Sequence, residues 1–283
     1  TRDPTQSRHY CYRFVIVPQL ALLKHSGQNQ VYGTDSDLTV VEIIENELND
    51  ANKSASSTGA SRSARAILHE MLADGGSYPK LDFVLQYRES DFDFISRMCE
   101  KFGIFFAFDH SGDKEKVRFC DRKEHFLKLA GKTLPENLPY RSPQQIRGPA
   151  DFAVLSFNAS YTAQSGVVEL REYYDVTPNV DLAVSEETSF AGQGVRVDYG
   201  ENYRTSAEGQ FLAKKRAELL ESERLRFTGE SNIPLLRPGL FFKLVDHPIN
   251  NRVISIPLSQ LRDVPKRIIA SGGNEKVDTL LGG

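Results

Sequence analysis

The chain has 283 residues, of which 40% are hydrophobic and 26% charged, and its formal net charge is −3. That length supports one large or two modest hydrophobic cores, and the composition is ordinary for a soluble globular protein. The near-balanced charge gives no electrostatic pull toward nucleic acid or anionic lipid, and no apolar run approaches the roughly 20 residues of a membrane-spanning helix.

In chain order, Tyr12, Phe14 and Ile16 alternate with Arg13, Val15 and Val17, which predicts a strand ending at Pro18. Val40, Ile43, Ile44 and Leu48 recur at helical spacing behind Thr39 and Glu42, a capping-box pair, so a helix is predicted there. Residues 51–63 have loop composition, and residues 64–72 read as a short helix stopped by Asp74-Gly75-Gly76. Leu81, Phe83, Leu85 and Tyr87 alternate with other residues, the period of a strand with one buried face. Ser90 and Asp93 open a helix whose first turn carries Asp91 and Asp93 against the dipole; Lys101 and Gly103 close it. An aromatic strand over residues 104–108 follows at once, and residues 117–120 form a last strand of this module.

Four prolines within residues 135–149 mark a connector. Beyond it, residues 153–157, 167–174 and 195–199 read as antiparallel strands. Thr205 and Glu208 make a third capping box, opening a helix to about Arg226 with Leu212, Ala213, Ala217, Leu219 and Leu220 on its inner side. Residues 240–245 and 253–256 close a β-rich unit, and no internal repeat is visible.

Chemistry finds little purchase on these residues. Gly131-Lys132-Thr133 resembles the end of a phosphate loop, but Phe126 stands where that loop needs glycine. Gly192-x-Gly194 lacks the third glycine of a dinucleotide fingerprint. No two of His9, His25, His69, His110, His125 and His247 lie four apart, and His247 before Pro248 reads as a turn residue. Cys11, Cys99 and Cys120 are odd in number and show no metal-like spacing, which fits a reducing compartment better than a disulfide framework. Glu89, Asp91 and Asp93 could serve acid–base chemistry, but capping and polarising a helix start explains all three without a substrate. The aromatics Phe102, Phe105, Phe106 and Phe108 sit among Asp109, Asp113 and Glu115, which is no funnel for bases; core or subunit interface suits them better. The residues therefore assign no catalytic, cofactor-binding or metal-binding role.

The segment Gln86-Tyr87-x-Glu89-Ser90-Asp91-x-x-Phe94, continued by Glu100-x-x-Gly103-Ile104, resembles the signature of VgrG proteins, the spike-tip proteins of bacterial type VI secretion related to contractile-phage baseplate hubs. The resemblance extends in order through Tyr10-x-x-x-Phe14-x-x-Val17-Pro18-x-Leu20, Thr39 to Ile44 with Leu48, Tyr199-Gly200-x-x-Tyr203, the helix around Ala213 to Arg216, Gly229-Glu230-Ser231-Asn232 and Pro238-Gly239-x-Phe241-x-x-Leu244-x-x-His247-Pro248. It covers residues 10–248. Residues 250–283 fit the pattern poorly, and the repetitive sequence of a β-helical needle is not among them.

The resemblance implies an α+β, β-rich fold: phage-hub-like β-barrels with an inserted strand–helix–strand module. The expected division is 1–24 as the closing strand of an N-terminal barrel whose earlier part is missing, 25–134 as the α+β module, 135–149 as the connector, and 150–283 as a second barrel with the long helix at about 205–226. It also implies a non-enzymatic homotrimer that caps the Hcp tube hexamer and works by transmitting force. A tip protein of the PAAR type and effectors would be carried through regions absent here. Baseplate proteins would be neighbours, nucleic acid would not, and the needle rather than this region would meet the target membrane. Assembly would be cytoplasmic, followed by secretion to the exterior or into a target cell. A phage-tail hub and an enzymatic effector domain are the two other classes. In the trimer, the aromatic strands at 104–108 and 240–242 are expected at or near surfaces meant for neighbouring chains or the tube.

Overall fold

The structure, a computed structural model, describes residues 14–57, 66–128, 137–148, 151–233, 236–248, 253–255 and 279–282. Residues 14–18 are irregular and lead into a 3-10 helix at Gln19–His25, so no strand ends at Pro18; Tyr12 and Arg13 lie outside the described residues. Leu20 and Leu23 bury the inner side of that turn.

The first half builds around two helices. Strands β1 (Gln30–Tyr32) and β2 (Leu38–Thr39) precede α1 (Val40–Ser57). Thr39 and Glu42 cap α1 reciprocally: Thr39 N donates to Glu42 Oε2 at 2.7 Å, and Glu42 N donates to Thr39 Oγ1 at 3.3 Å. Helix α1 runs on to Ser57 through residues predicted as loop. Ala51 packs against the core, and the Asn52 amide bonds both the N–H and the C=O of Ile67 at 2.8 and 3.1 Å, which fixes the last turns.

Residues 68–71 are a strand, β3 (Leu68–Met71), and not the predicted helix. What overrides local propensity is pairing: β3 lies parallel to β7 (Lys116–Cys120), whose other side is taken by β6 (Phe105–Asp109). The alternating stretch around Phe83 splits into β4 (Lys80–Leu81), paired with β2, and β5 (Val84–Gln86), paired with β1. Gly33, at φ 92, turns β1 away where a Cβ would lie 2.6 Å from the Asp82 backbone.

Helix α2 (Asp91–Phe102) matches its predicted signals residue for residue. Ser90 accepts a bond from Asp93 N, and Gly103 ends the helix in the left-handed conformation at φ 71. Its inward face (Phe92, Phe94, Ile95, Met98, Cys99 and Phe102) is the centre of the larger core.

The second half is β-rich. After β8 (Leu127–Lys128), β9 (Asn137–Pro139) and β10 (Val154–Tyr161) come β11 (Val167–Arg171), β12 (Val184–Glu187) and β13 (Val195–Tyr199). Helix α3 (Ser206–Arg224) runs straight into β14 (Leu225–Ser231), followed by β15 (Leu240–Val245), β16 (Val253–Ser255) and β17 (Thr279–Gly282). Among the strands predicted antiparallel, β11 and β13 pair parallel, while β12 lies antiparallel on the other side of β11. That order became available because β12, unmarked in the sequence, takes the hairpin-like position.

Two cores result. The larger joins α1, α2 and β6–β7 to α3, β11 and β12; the smaller gathers Leu138, Val154, Phe157, Phe227, Ile233, Leu240, Phe242 and Leu244. Charged groups reinforce the larger one across α2 and α3. Lys101 Nζ donates to Glu201 O at 2.7 Å, and Arg216 holds Glu201 Oε1 at 2.7 Å.

Candidate assembly surfaces

The carboxylates singled out at the start of α2 do not converge. Glu89 takes a two-pronged bond from Arg97 at 2.6 and 3.2 Å, Asp93 accepts from Ser90 Oγ at 2.8 Å, and Asp91 is buried, accepting from Ser26 Oγ and Gln86 Nε2. Three acids with three separate sets of partners cannot act as an acid–base pair on one substrate.

A pairing that the sequence did not reveal is His125 Nδ1 facing Asp121 Oδ1 at 3.3 Å. The two are four residues apart, Asp121 just after β7 and His125 at the end of the 3-10 turn Lys123–His125, a spacing that could have been read as a contact. Asp121 also accepts from Tyr78 O–H at 3.4 Å, and Arg118 reaches His125 O at 3.2 Å, so the pair ties a loop down. Cys99 and Cys120 are buried, and desolvation raises both thiols; Cys120 reaches about 11, far from a reactive thiolate. Among the described residues no group of three or more His, Cys, Asp or Glu is placed to hold a metal ion. Gly131, Lys132 and Thr133 lie outside the described residues. The cleft at the start of α2, lined by Lys24, His25, Gln28, Arg88 and Glu89 among others, is shallow and mixed in charge, unlike the enclosed apolar pockets that take small molecules.

What the fold does present is apolar surface on ordered strands. In the sheet β12–β11–β13, Val168, Leu170 and Val184 face inward onto Leu212, Ala213, Ala217 and Leu220 of α3. The opposite face carries Val195, Val197 and Tyr199 of β13, in register with Val167, Glu169 and Arg171. These three side chains are 54%, 50% and 71% exposed, and β13 pairs on one side only among the described residues. An apolar edge strand left open is a ready template for another chain.

A second surface is the β1–β5 ribbon. Val31 and Leu85 are direct cross-strand partners, and both are exposed along with Phe83 and Tyr87. The face expected to be buried therefore looks outward. The inner face carries Tyr32 and Gln86, because Gln86 finds a buried hydrogen-bond partner in Asp91. The aromatic strands expected at inter-chain surfaces are covered within the chain. Phe106, Leu240 and Phe242 are buried, and Phe105 stacks on Phe126 with ring centres 4.7 Å apart. Facing strands and helices of the same chain reach them first.

The family model described as phage tail baseplate hub (GPD) matches residues 1–255. The chain is 24% identical over 281 residues to the Actin cross-linking toxin VgrG1 of Vibrio cholerae, covering 94% of this chain and 23% of that protein. It is 28% identical over 207 residues to the Type VI secretion system spike protein VgrG1b of Pseudomonas aeruginosa, covering 70% of this chain and 27% of that one. It thus spans about a quarter of the length of these relatives. Among solved structures, the tail protein of Neisseria meningitidis superposes with a TM-score of 0.53 at 13% identity, covering 83% of this chain and 65% of that one. The Escherichia coli c3393 protein, described as a component of the type VI secretion system similar to bacteriophage tail proteins, superposes with a TM-score of 0.50 at 22% identity over 84% of this chain and 47% of that one. A β-rich α+β fold with open, apolar strand faces and a family match over most of its length leave one assignment: the chain belongs to the phage tail baseplate hub (GPD) family.

Proposed function

We propose that this chain is the hub part of a type VI secretion spike, a structural piece that assembles as a trimer and caps the secreted tube. The observation that carries the reading is the hub-family match over residues 1–255, joined by similarity to spike proteins across most of the chain. The exposed face of β13 supports it, since a hub has to bind its own copies or the tube through folded surfaces of this kind. Work here is mechanical: contraction drives the tube, and the hub holds its leading end together. No turnover and no cofactor enter, and the chain itself acts on no substrate.

The proposed division places the closing strand of a first barrel at 1–24, the α+β module at 25–134, a connector at 135–149, and a second barrel at 150–283. The smaller core takes Leu138 from within the connector together with the strands beyond it, while α3, β11 and β12 join the module through the larger core. Its partners in this reading are two further copies, the Hcp hexamer and baseplate proteins, with tip protein and effectors carried by other parts of the full protein. It is built in the cytoplasm and leaves with the tube. A phage-tail hub is the second reading, favoured by the likeness to the Neisseria tail protein. An enzymatic segment, such as the name of the Vibrio relative suggests for that protein, would belong to other parts of a longer chain.

The test is to mix the purified chain with Hcp-type tube protein and, separately, with a phage tail-tube protein, then follow sedimentation and electron micrographs. Threefold particles capping the secretion tube are expected. Particles seated only on the phage tube select the second reading, and a monomer that caps neither tube overturns both.

A further inference from the structure

Beneath the β1–β5 ribbon lies a buried polar cluster. Tyr32 from β1, Glu47 from α1, Gln86 from β5 and Asp91 from α2 converge, joined by Ser26 from the 3-10 segment. Glu47, Gln86 and Asp91 are 1%, 0% and 2% exposed. Tyr32 O–H donates to Glu47 Oε1. Gln86 Nε2 donates to Asp91 Oδ1 at 2.8 Å, Ser26 Oγ donates to Asp91 Oδ2 at 2.6 Å, and the Asp91 N–H donates to Ser26 O at 3.0 Å.

Two buried oxygens are left over: Glu47 Oε2 and Gln86 Oε1 have no hydrogen-bond partner. Both are acceptors, and turning the Gln86 amide over would set its oxygen against Asp91 Oδ1 in place of the N–H bond there. A proton on Glu47 would supply a donor to a cluster that lacks one for these two acceptors. The charged neighbours point the same way. Asp91 faces Glu47 from α2, and Asp50, itself paired with Lys53 at 2.8 Å, from its own helix; from β1 comes the neutral Tyr32 phenol, whose hydrogen bond to Glu47 pulls the other way.

We propose that Glu47 is protonated in the folded protein and donates through Oε2 to Gln86 Oε1, so that one proton fastens the β1–β5 ribbon to α1 and α2. The chain of donors then runs one way, Tyr32 to Glu47 to Gln86 to Asp91, with every member satisfied. Burial pushes the Glu47 carboxyl above its ordinary value of 4.5, outweighing the lowering by the Tyr32 hydrogen bond, and the Asp91 charge pushes it further. Above pH 4.5 the unfolded chain gives up this proton while the folded chain keeps it. The resulting stabilisation is complete below the unfolded value and is lost as pH rises through the folded one. The ribbon so held is the one whose outer face exposes Val31, Phe83, Leu85 and Tyr87, so raising pH loosens the support of that surface. This lock is independent of how the chain assembles.

Glu47→Gln is the direct test, because an amide keeps the acceptor toward Tyr32 and the donor toward Gln86 but cannot titrate. Thermal unfolding of the full 283-residue chain is followed from pH 4 to pH 8 for both proteins. The wild type should lose Tm relative to Glu47→Gln by roughly 3 °C per pH unit as pH rises through the folded value, one proton's worth for a protein of this size. Parallel pH profiles overturn the proposal. Carbon-detected NMR of the wild-type Glu47 carboxyl reads the proton directly even if the variant fails to fold. A midpoint well above 4.5 is expected, and one at or below it overturns the proposal. Amide protection over residues 30–32 and 84–86, corrected for intrinsic exchange, should fall with pH in the wild type only; protection that stays constant removes the lock.

Discussion

Phe94 lies flat against Tyr32, ring centres 5.7 Å apart and planes 12° off parallel, with none of its surface in water. Arg97, one turn on, places its guanidinium 5.3 Å from the ring centre on its way to Glu89 and the Leu85 carbonyl. The residue therefore joins α2 to the ribbon by packing alone. Phe94→Ala should cost about 3–5 kcal/mol through the lost transfer energy and the cavity left behind, measured by denaturant unfolding. Wild-type stability in that variant would mean the site collapses without loss and the ring is not a keystone. Phe94 and Gly103 were readable from the sequence because local signals fix both: a cap four residues before one, a helix stop at the other. Gln86 was not. Its burial depends on Asp91 and Ser26, and its apolar neighbours Phe83 and Leu85 suggested the opposite face.

At the scale of elements, α1 shows how a start signal behaves. The Thr39–Glu42 box gives Thr39 N and Glu42 N each a side-chain partner, and the backbone bond from Thr39 followed by its hydroxyl holds the Glu42 carboxyl below its ordinary 4.5. A lowered acid stabilises above its unfolded value, and that contribution disappears as pH falls through the folded one. Glu42 and Glu47, one helical turn and a residue apart, thus respond to pH in opposite senses. Thr39→Ala should cost about 1 kcal/mol at pH 7 and less in acid, where Glu42 is neutral and its half of the box is already weakened. An undiminished loss at pH 3 would show that the cap acts through the hydroxyl alone. The helix beginnings were legible because capping is local. The end of α1 and the strand character of β3 were not, since Ile67, bonded to Asn52, and β7 decide them from 15 and 48 residues away.

For the whole molecule, β13 offers the sharpest test of assembly. Val195 and Val197 touch little of their own chain, so replacing both with lysine should change the stability of the lone chain by no more than about 0.5 kcal/mol per site. If β13 is where copies or the tube meet, the same double variant should sediment as a smaller species at concentrations where the wild type associates. Unchanged association would move the interface elsewhere, with the ribbon face of Val31 and Leu85 next in order. Sequence by itself determined the helices α2 and α3, the strands β13 and β15, the α+β and β-rich character, and the likeness to hub proteins. Each of these is written in short-range patterns, such as caps, periodicity and an ordered motif. Tertiary structure alone decided which face of a strand is buried, the parallel pairing of β11 with β13, and the meeting of Glu47 with Gln86 and Asp91. The reason is physical. Period two says that a strand has two faces, but the choice between them belongs to whichever distant partner satisfies the polar groups and fills the space.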